Sequence, residues 1–302
     1  MTAAMPPPRS LLPAYLVALG GIGMFSIMDM LIKALAIALG TFPTLWWRSL
    51  IGVAMSTALF LVHRPAWPNR KTLRLHLVRG LITAAMAFLF FWGLARVPMA
   101  QAIALTFIAP LLALYLAALL LGERIGARTL TGSVAAFAGV VVIVVGQAQA
   151  NLGREALLGS AAILVGALLY AYNIVLMRQQ ALVAKPVEIA FFQSLFVALA
   201  FSASLPLAWP VAPPAGHWVE LFAAAALAQA SLLLLAWAYA RAGAAYLSTS
   251  EYSSFLWAMA LGWLRFGESV TLFTLAGAAL IVAGCLYAIR DRSEPGEVAA
   301  LG

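Results

Sequence analysis

Charge and cysteine are what this chain has least of. Asp, Glu, Lys and Arg make up only 9% of its 302 residues, where a water-soluble domain carries about 25%, so there is too little polar surface to coat a body in water. With 65% hydrophobic residues and a mean hydropathy of +1.00, the chain is one that lives in a bilayer. The single cysteine, Cys285, excludes an internal disulfide; it sits in an apolar run and reads as a small core residue. No Gly-Lys-Ser/Thr cradle for phosphate occurs, which excludes direct drive by ATP. The histidines His63, His76 and His217 lack metal-ligand spacing, and no Ser or Cys has a recognisable base beside it. Neither a metal site, a cofactor nor an enzyme is expected. The net charge of +8 is spread over short loops without interleaved aromatics, so nucleic acid is not an expected partner.

What the chain has in abundance is long apolar runs. About 20 such residues cross the hydrocarbon of a membrane, and ten runs fit, at roughly 11–35, 44–62, 74–94, 99–121, 128–147, 156–180, 189–207, 219–239, 244–266 and 273–290. The stretch from Met1 to Ser10 is Pro-rich, carries one Arg and leads into the first run without a small-residue cleavage pattern; it reads as the lead-in to an uncleaved first span. Connections as short as Val97-Pro98 and Arg241-Ala242-Gly243 make neighbouring spans antiparallel.

The ten runs are two copies of five. At one constant shift of 145 positions, Trp46-Trp47-Arg48-Ser49-Leu50 returns as Phe191-Phe192-Gln193-Ser194-Leu195, and Trp92, Ala95, Arg96 and Ala100 fall on Trp237, Ala240, Arg241 and Ala245. Gly122-Glu123 falls on Gly267-Glu268, and Thr129-Leu130, Gly132 and Ala138-Gly139 fall on Thr274-Leu275, Gly277 and Ala283-Gly284. Trp, Arg, Glu and helix-interior Gly are scarce in so apolar a chain, so their agreement on one offset marks a duplication. The expected fold is an all-α integral membrane protein of ten transmembrane helices, built as two inverted five-helix repeats at 11–147 and 156–290, with tails at 1–10 and 291–302.

Basic residues set the orientation, because short loops rich in Lys and Arg stay in the cytoplasm. Arg9, Arg64, Arg70, Lys71, Arg74, Arg124, Arg128, Arg178, Lys185, Arg241, Arg290 and Arg292 share one side, against Arg96, Arg154 and Arg265 on the other. Both termini are therefore expected in the cytoplasm of a bacterial-type inner (plasma) membrane. Five spans per copy make the second copy enter from the opposite side, so corresponding residues face opposite compartments. Two similar halves with exchanged roles give inward-open and outward-open states of nearly equal energy, the hallmark of a secondary transporter.

The segment Ala104-Leu105 through Pro110-Leu111 to Leu119-Leu120-Leu121-Gly122-Glu123-Arg124-Ile125 resembles the signature of the drug/metabolite transporter superfamily, in its EamA branch of ten-helix carriers. Leu261-Gly262-Trp263-Leu264-Arg265-Phe266-Gly267-Glu268 resembles a weaker second copy. The resemblance covers nearly the whole chain and implies export of amino acids and related metabolites, as in YddG-like aromatic amino-acid exporters. One departure stands out: Pro110 of the signature falls at the shift on Phe255. Pro110 removes a backbone donor and bends the fourth span in mid-membrane; the ninth span has no such signal, so the halves are not expected to be mechanically equivalent.

Ionisable groups inside spans cost about 2.5–3.5 kcal/mol each and need a partner or a wet cavity. Asp29, Lys33, Arg48, Arg79 and Glu251 qualify. Asp29 and Lys33 lie one turn apart, with Arg48 at a depth between them, so Asp29 with Arg48 or Lys33 forms an ion pair that either fixes the first span against the second, gates the path, or clamps a charged substrate. Arg79 and Glu251 lie at similar depth and pair across the bundle, either as a static pair or as a proton-coupling site. Ser250, Glu251 and Tyr252, with Tyr246, form an unusually polar stretch of the ninth span and are the first choice for lining a substrate cavity. Trp92, Trp237, Tyr239, Tyr170, Asn173 and Gln101 complete the candidate lining, unless the aromatics sit at the lipid interface. Gly132, Gly139, Gly277 and Gly284 recur seven apart, which lets helices approach closely, either between the halves or at a dimer face. Glu123 and Glu268 read as loop anchors and gate-side salt bridges. The expected function is export of small amphipathic metabolites, amino acids foremost, by alternating access. An importer of a nucleoside or vitamin-type metabolite, a multidrug-type exporter, a non-transporting scaffold and an intramembrane enzyme are the alternatives; monomer and homodimer both stay open.

Overall fold

The computed structural model describes residues 12–63, 67–121, 127–149, 153–205, 212–239, 241, 247 and 250–289. All regular structure among them is helical: α1 (Leu12–Leu39), α2 (Thr41–His63), α3 (Arg70–Leu94), α4 (Met99–Thr106), α5 (Ala109–Leu121), α6 (Ala127–Gln149), α7 (Gly153–Ala181), α8 (Pro186–Ala203), α9 (Trp218–Tyr239), α10 (Ser253–Phe266) and α11 (Leu272–Ile289). Six segments are long and apolar enough to cross a membrane by length and composition, namely α1, α2, α3, α7, α8 and residues 215–239. The fourth crossing is divided between α4 and α5, the ninth is continued by α10, and α6 and α11 carry shorter apolar windows. The result is the ten-crossing, all-helical membrane fold.

Local chemistry sets the helix ends. Asn69 accepts a hydrogen bond from Thr72 N at 2.9 Å, satisfying one of the orphan donors that open α3. Pro186 opens α8, where its missing N–H costs nothing. Gly40, at φ 88°, makes the single-residue turn between α1 and α2, a conformation that L residues with a Cβ rarely adopt. The membrane face bearing this turn is called the Gly40 face below, and the opposite one the His63 face.

The packing has two-fold logic. α1 packs on α9 and α3 on α7, α2 on α8, and α6 on α11. At the 145-residue shift α1 corresponds to α7 and α3 to α9, so the α1–α9 contact maps onto the α7–α3 contact. The glycines follow the same rule: a Cβ on Gly139 would meet the Gly277 carbonyl, and a Cβ on Gly284 the Gly132 carbonyl, two contacts that the shift interchanges. These glycines thus join the two halves. Five crossings per half then leave the halves upside down relative to one another.

Near the middle of the membrane both halves break. Phe107–Ile108 interrupt the fourth crossing just before Pro110, as a missing backbone donor requires. The ninth crossing, which lacks the proline, is interrupted as well, at Tyr252, the shift counterpart of Phe107. This corrects the expectation of an unbent ninth span. Serine hydroxyls stand on either side of this break: Ser250 Oγ donates to Leu247 O and Ser254 Oγ to Glu251 O, both at 2.6 Å, and such back-bonding competes weakly with the helix ladder. Thr106 Oγ1 does the same to Ile103 O at 2.7 Å. The two breaks meet, with the Phe107 and Tyr252 rings edge to face at 5.3 Å. Cys285 Sγ donates to the freed Phe107 carbonyl at 3.3 Å, so the lone cysteine is a core residue with a backbone partner.

Candidate functional site

The Gly40 face is tied shut by one carboxylate. Gly267 ends α10 at φ 65°, and this left-handed turn folds Glu268 back over Gly262, where a Cβ would come within 2.6 Å of Glu268 Oε2. The second Gly-Glu signature is thereby explained physically: one glycine turns the chain and the other makes room for the acid. Glu268 Oε1 then pairs with the buried Lys33 ammonium, and Oε2 accepts from Met99 N at 2.7 Å, capping the first turn of α4. Lys33 Nζ also donates to Val97 O at 2.6 Å and lies 5.0 Å from the Phe266 ring centroid. Three parts of the chain are thus joined: α1, the α3–α4 connection and the α10–α11 connection.

This arrangement changes the predicted charge pairing. Lys33 pairs with Glu268 rather than with Asp29, because its ammonium is drawn to a carboxylate that also caps α4. Asp29 and Arg48 are left to each other. They interact electrostatically, yet no ion pair or hydrogen bond joins them among the described residues, and Arg48 Nε is buried with no partner.

The predicted Arg79–Glu251 pair is also rearranged. Arg79 donates from Nε to Asn173 Oδ1 at 3.2 Å and from Nη1 to Gln180 Oε1, so its guanidinium is held by α7. Glu251 instead accepts from Tyr239 Oη at 2.6 Å. Tyr170 lies within electrostatic reach of both Arg79 and Glu251, and it also influences Tyr239. Four elements, α3, α7, α9 and the start of the ninth crossing, therefore present these groups toward one another in the half nearer the His63 face. Tyr170 is 41% exposed and Tyr239 37%, with Glu251 exposed as well.

The other predicted lining residues divide. Tyr252 stands at the break beside Phe107, and Ser250 is buried on its own helix carbonyl. Gln101 is buried and donates to Ser160 Oγ at 3.4 Å, joining α4 to α7. Trp92 and Trp237 each carry an arginine one turn along: the Arg96 guanidinium lies 3.6 Å from the Trp92 ring centroid and that of Arg241 4.0 Å from Trp237. In both, Arg Nη1 donates to the Trp carbonyl, one device repeated at the two ends of the molecule. Trp92 and Arg96 border a cleft of about 310 Å³ with Gly40, Phe42 and Phe88, on the Gly40 face and away from the tyrosines. Tyr246 and Glu123 lie outside the described residues.

A buried polar network escaped the sequence reading. His76 Nε2 donates to Glu188 Oε1 at 3.1 Å, its Nδ1 accepts from Gln180 Nε2, and Gln180 Oε1 accepts from Arg79. The amide orientation fixes the imidazole tautomer, since Nδ1 can only accept where Gln180 donates. His76 also stacks on Phe192, with centroids 4.9 Å apart. A histidine inside a span needs a partner as a carboxylate does, but Glu188 falls one residue before the apolar run at 189–207.

The EamA-like transporter family model matches residues 12–145 and again 157–290. The chain is 27% identical over 273 residues to the "Pseudopaline exporter CntI" of Pseudomonas aeruginosa, covering 89% of this chain and 93% of that one. It is 29% identical over 294 residues to the "Riboflavin transporter" of Rhizobium johnstonii, covering 95% and 94%. A solved crystal structure shares the fold with a TM-score of 0.63 at 22% identity, over 95% of this chain and 99% of that one. With two matching repeats, ten crossings and full-length relatives that are transporters, the chain belongs to the EamA-like transporter family.

Proposed function

We propose that this protein is a secondary carrier that exports small amphipathic metabolites, amino acids with aromatic or hydrophobic side chains foremost, from the cytoplasm by alternating access. Both termini lie in the cytoplasm of a bacterial inner membrane, so the Gly40 face is external and the His63 face internal. The observation that carries this reading is the tie across the Gly40 face between Lys33 and Glu268, set against Tyr170, Tyr239 and Glu251, which lie nearer the His63 face and keep exposed surface. A carrier loading from the cytoplasm needs that combination, and two inverted halves supply the reverse combination at little cost in energy. Tyrosine rings give apolar walls with polar edges, suited to an aromatic side chain beside charged ends.

The test is amino-acid transport in proteoliposomes and inside-out vesicles, scanned over aromatic and aliphatic substrates. Saturable uptake into inside-out vesicles, absent from vesicles without the protein, is expected. The second reading, import of a vitamin-type metabolite, is favoured by the riboflavin transporters among the relatives. Accumulation of riboflavin in right-side-out vesicles, without amino-acid movement in inside-out ones, would decide for it.

A further inference from the structure

Four interior polar atoms on α2, α3, α8 and α10 have no partner among the described residues: Arg48 Nε, Thr83 Oγ1, Gln193 Oε1 and Ser253 Oγ. Arg48 and Gln193 are counterparts at the 145-residue shift. Gly52 and Ser194, near the crossing of α2 and α8, approach to within 4.0 Å of Cβ contact, so the two orphans flank that crossing from opposite sides. Buried polar groups are nearly always hydrogen-bonded in folded proteins, so an orphaned guanidinium nitrogen inside a span points to a group that takes its partner from a guest.

Arg48 is also the most exacting of the four, because it is charged. Its counter-charge, Asp29, is close enough to be felt but does not close into an ion pair. No other described charge on the packed elements compensates either group. On α1, Lys33 is committed to Glu268 and Val97. On α3, Arg79 is committed to Asn173 and Gln180, and His76 to Glu188. On α8, Gln193 Oε1 is itself unpartnered, and on α9, Glu220 bonds His217 at 3.1 Å. A pair kept only to fasten α1 to α2 would close, since charges held apart inside a span are costly. Asp29 lies one helical turn from Lys33, on the membrane-interior side of the Gly40-face lock.

We infer that Asp29 and Arg48 form a split charge clamp that recognises substrates bearing both an ammonium and a carboxylate, the carboxylate seated on the Arg48 guanidinium and the ammonium on Asp29, directly beneath the Lys33–Glu268 lock. The planar fork of Arg suits a carboxylate, and the guest completes the circuit that the two side chains leave open. This rests on the proposed transport of amino-acid-like molecules and narrows it to zwitterions.

The test compares three probes on the full-length carrier in proteoliposomes: an aromatic amino acid, its decarboxylated amine and its N-acetyl derivative. The wild type is expected to move the zwitterion at least about tenfold more efficiently than either analogue, about 1.4 kcal/mol in transition-state discrimination. Arg48→Gln should erase the preference over the amine, and Asp29→Asn the preference over the N-acetyl acid. Equal transport of all three by the wild type overturns the clamp and leaves amino-acid export standing, whereas movement of none overturns both. Thermal shift guards against misfolding: the zwitterion should raise the melting temperature of the wild type and not that of folded Asp29→Asn. An equal rise in the variant overturns the clamp, and Arg48→Lys replaces Arg48→Gln if the latter does not fold, its expected outcome being a weakened preference over the amine.

Discussion

Glu268 shows how much one side chain can hold. Its two oxygens serve Lys33 and Met99 N, so Glu268→Gln leaves a buried ammonium without its counter-charge. The expected cost is about 3 kcal/mol, read as a lower melting temperature in detergent, with faster alkylation of a cysteine placed at Val97. An unchanged melting temperature would remove the lock from the account. His76→Leu is the matching case inside the bundle. It orphans both Glu188 and Gln180, and a loss of about 3 kcal/mol is expected with little change in substrate preference. The sequence showed that Asp29, Lys33, Arg48, Arg79 and Glu251 needed partners or a wet cavity, because charge is expensive in hydrocarbon. It could not show which, because Lys33 and Glu268 are brought together by a glycine turn and a helix N-terminus that no periodicity reveals. His76 was passed over because its partner lies just outside a span.

At the scale of elements, contacts between helix backbones decide what is tolerated. Gly139→Val drives a side chain into the Gly277 carbonyl and Ile281, so α6 and α11 must separate, and loss of folded protein on expression is expected. Gly20→Ala meets nothing within 4 Å and should be neutral or stabilising by up to about 1 kcal/mol; size-exclusion profiles of the two variants make the comparison. The seven-residue glycine spacing was legible because small residues in a membrane helix have few other uses. The break at Tyr252 was not, since no proline marks it. The serine hydroxyls of Ser250 and Ser254 beside the break make bonds that depend on rotamer, and composition does not record rotamers. A Ser250→Ala, Ser254→Ala double variant is expected to straighten this crossing and slow transport several-fold; an unchanged rate would mean that the break is not used.

At the scale of the whole molecule, the 145-residue shift carried most of what the sequence could say. A duplicated five-span unit must be inverted, and the interchange of the Gly139–Gly277 and Gly132–Gly284 contacts is the packing consequence. The Trp92–Arg96 and Trp237–Arg241 devices sit at opposite ends of the bundle for the same reason. Which small molecule passes is a matter of a few side chains at the centre and is not encoded in any repeat.

The direct test of two inverted halves across the membrane is compartment labelling of Arg96→Cys and Arg241→Cys, each in a Cys285→Ser background, with a membrane-impermeant maleimide. Arg96→Cys should react in intact right-side-out vesicles and Arg241→Cys only after the membrane is opened. Reaction of both from the same side would contradict the account.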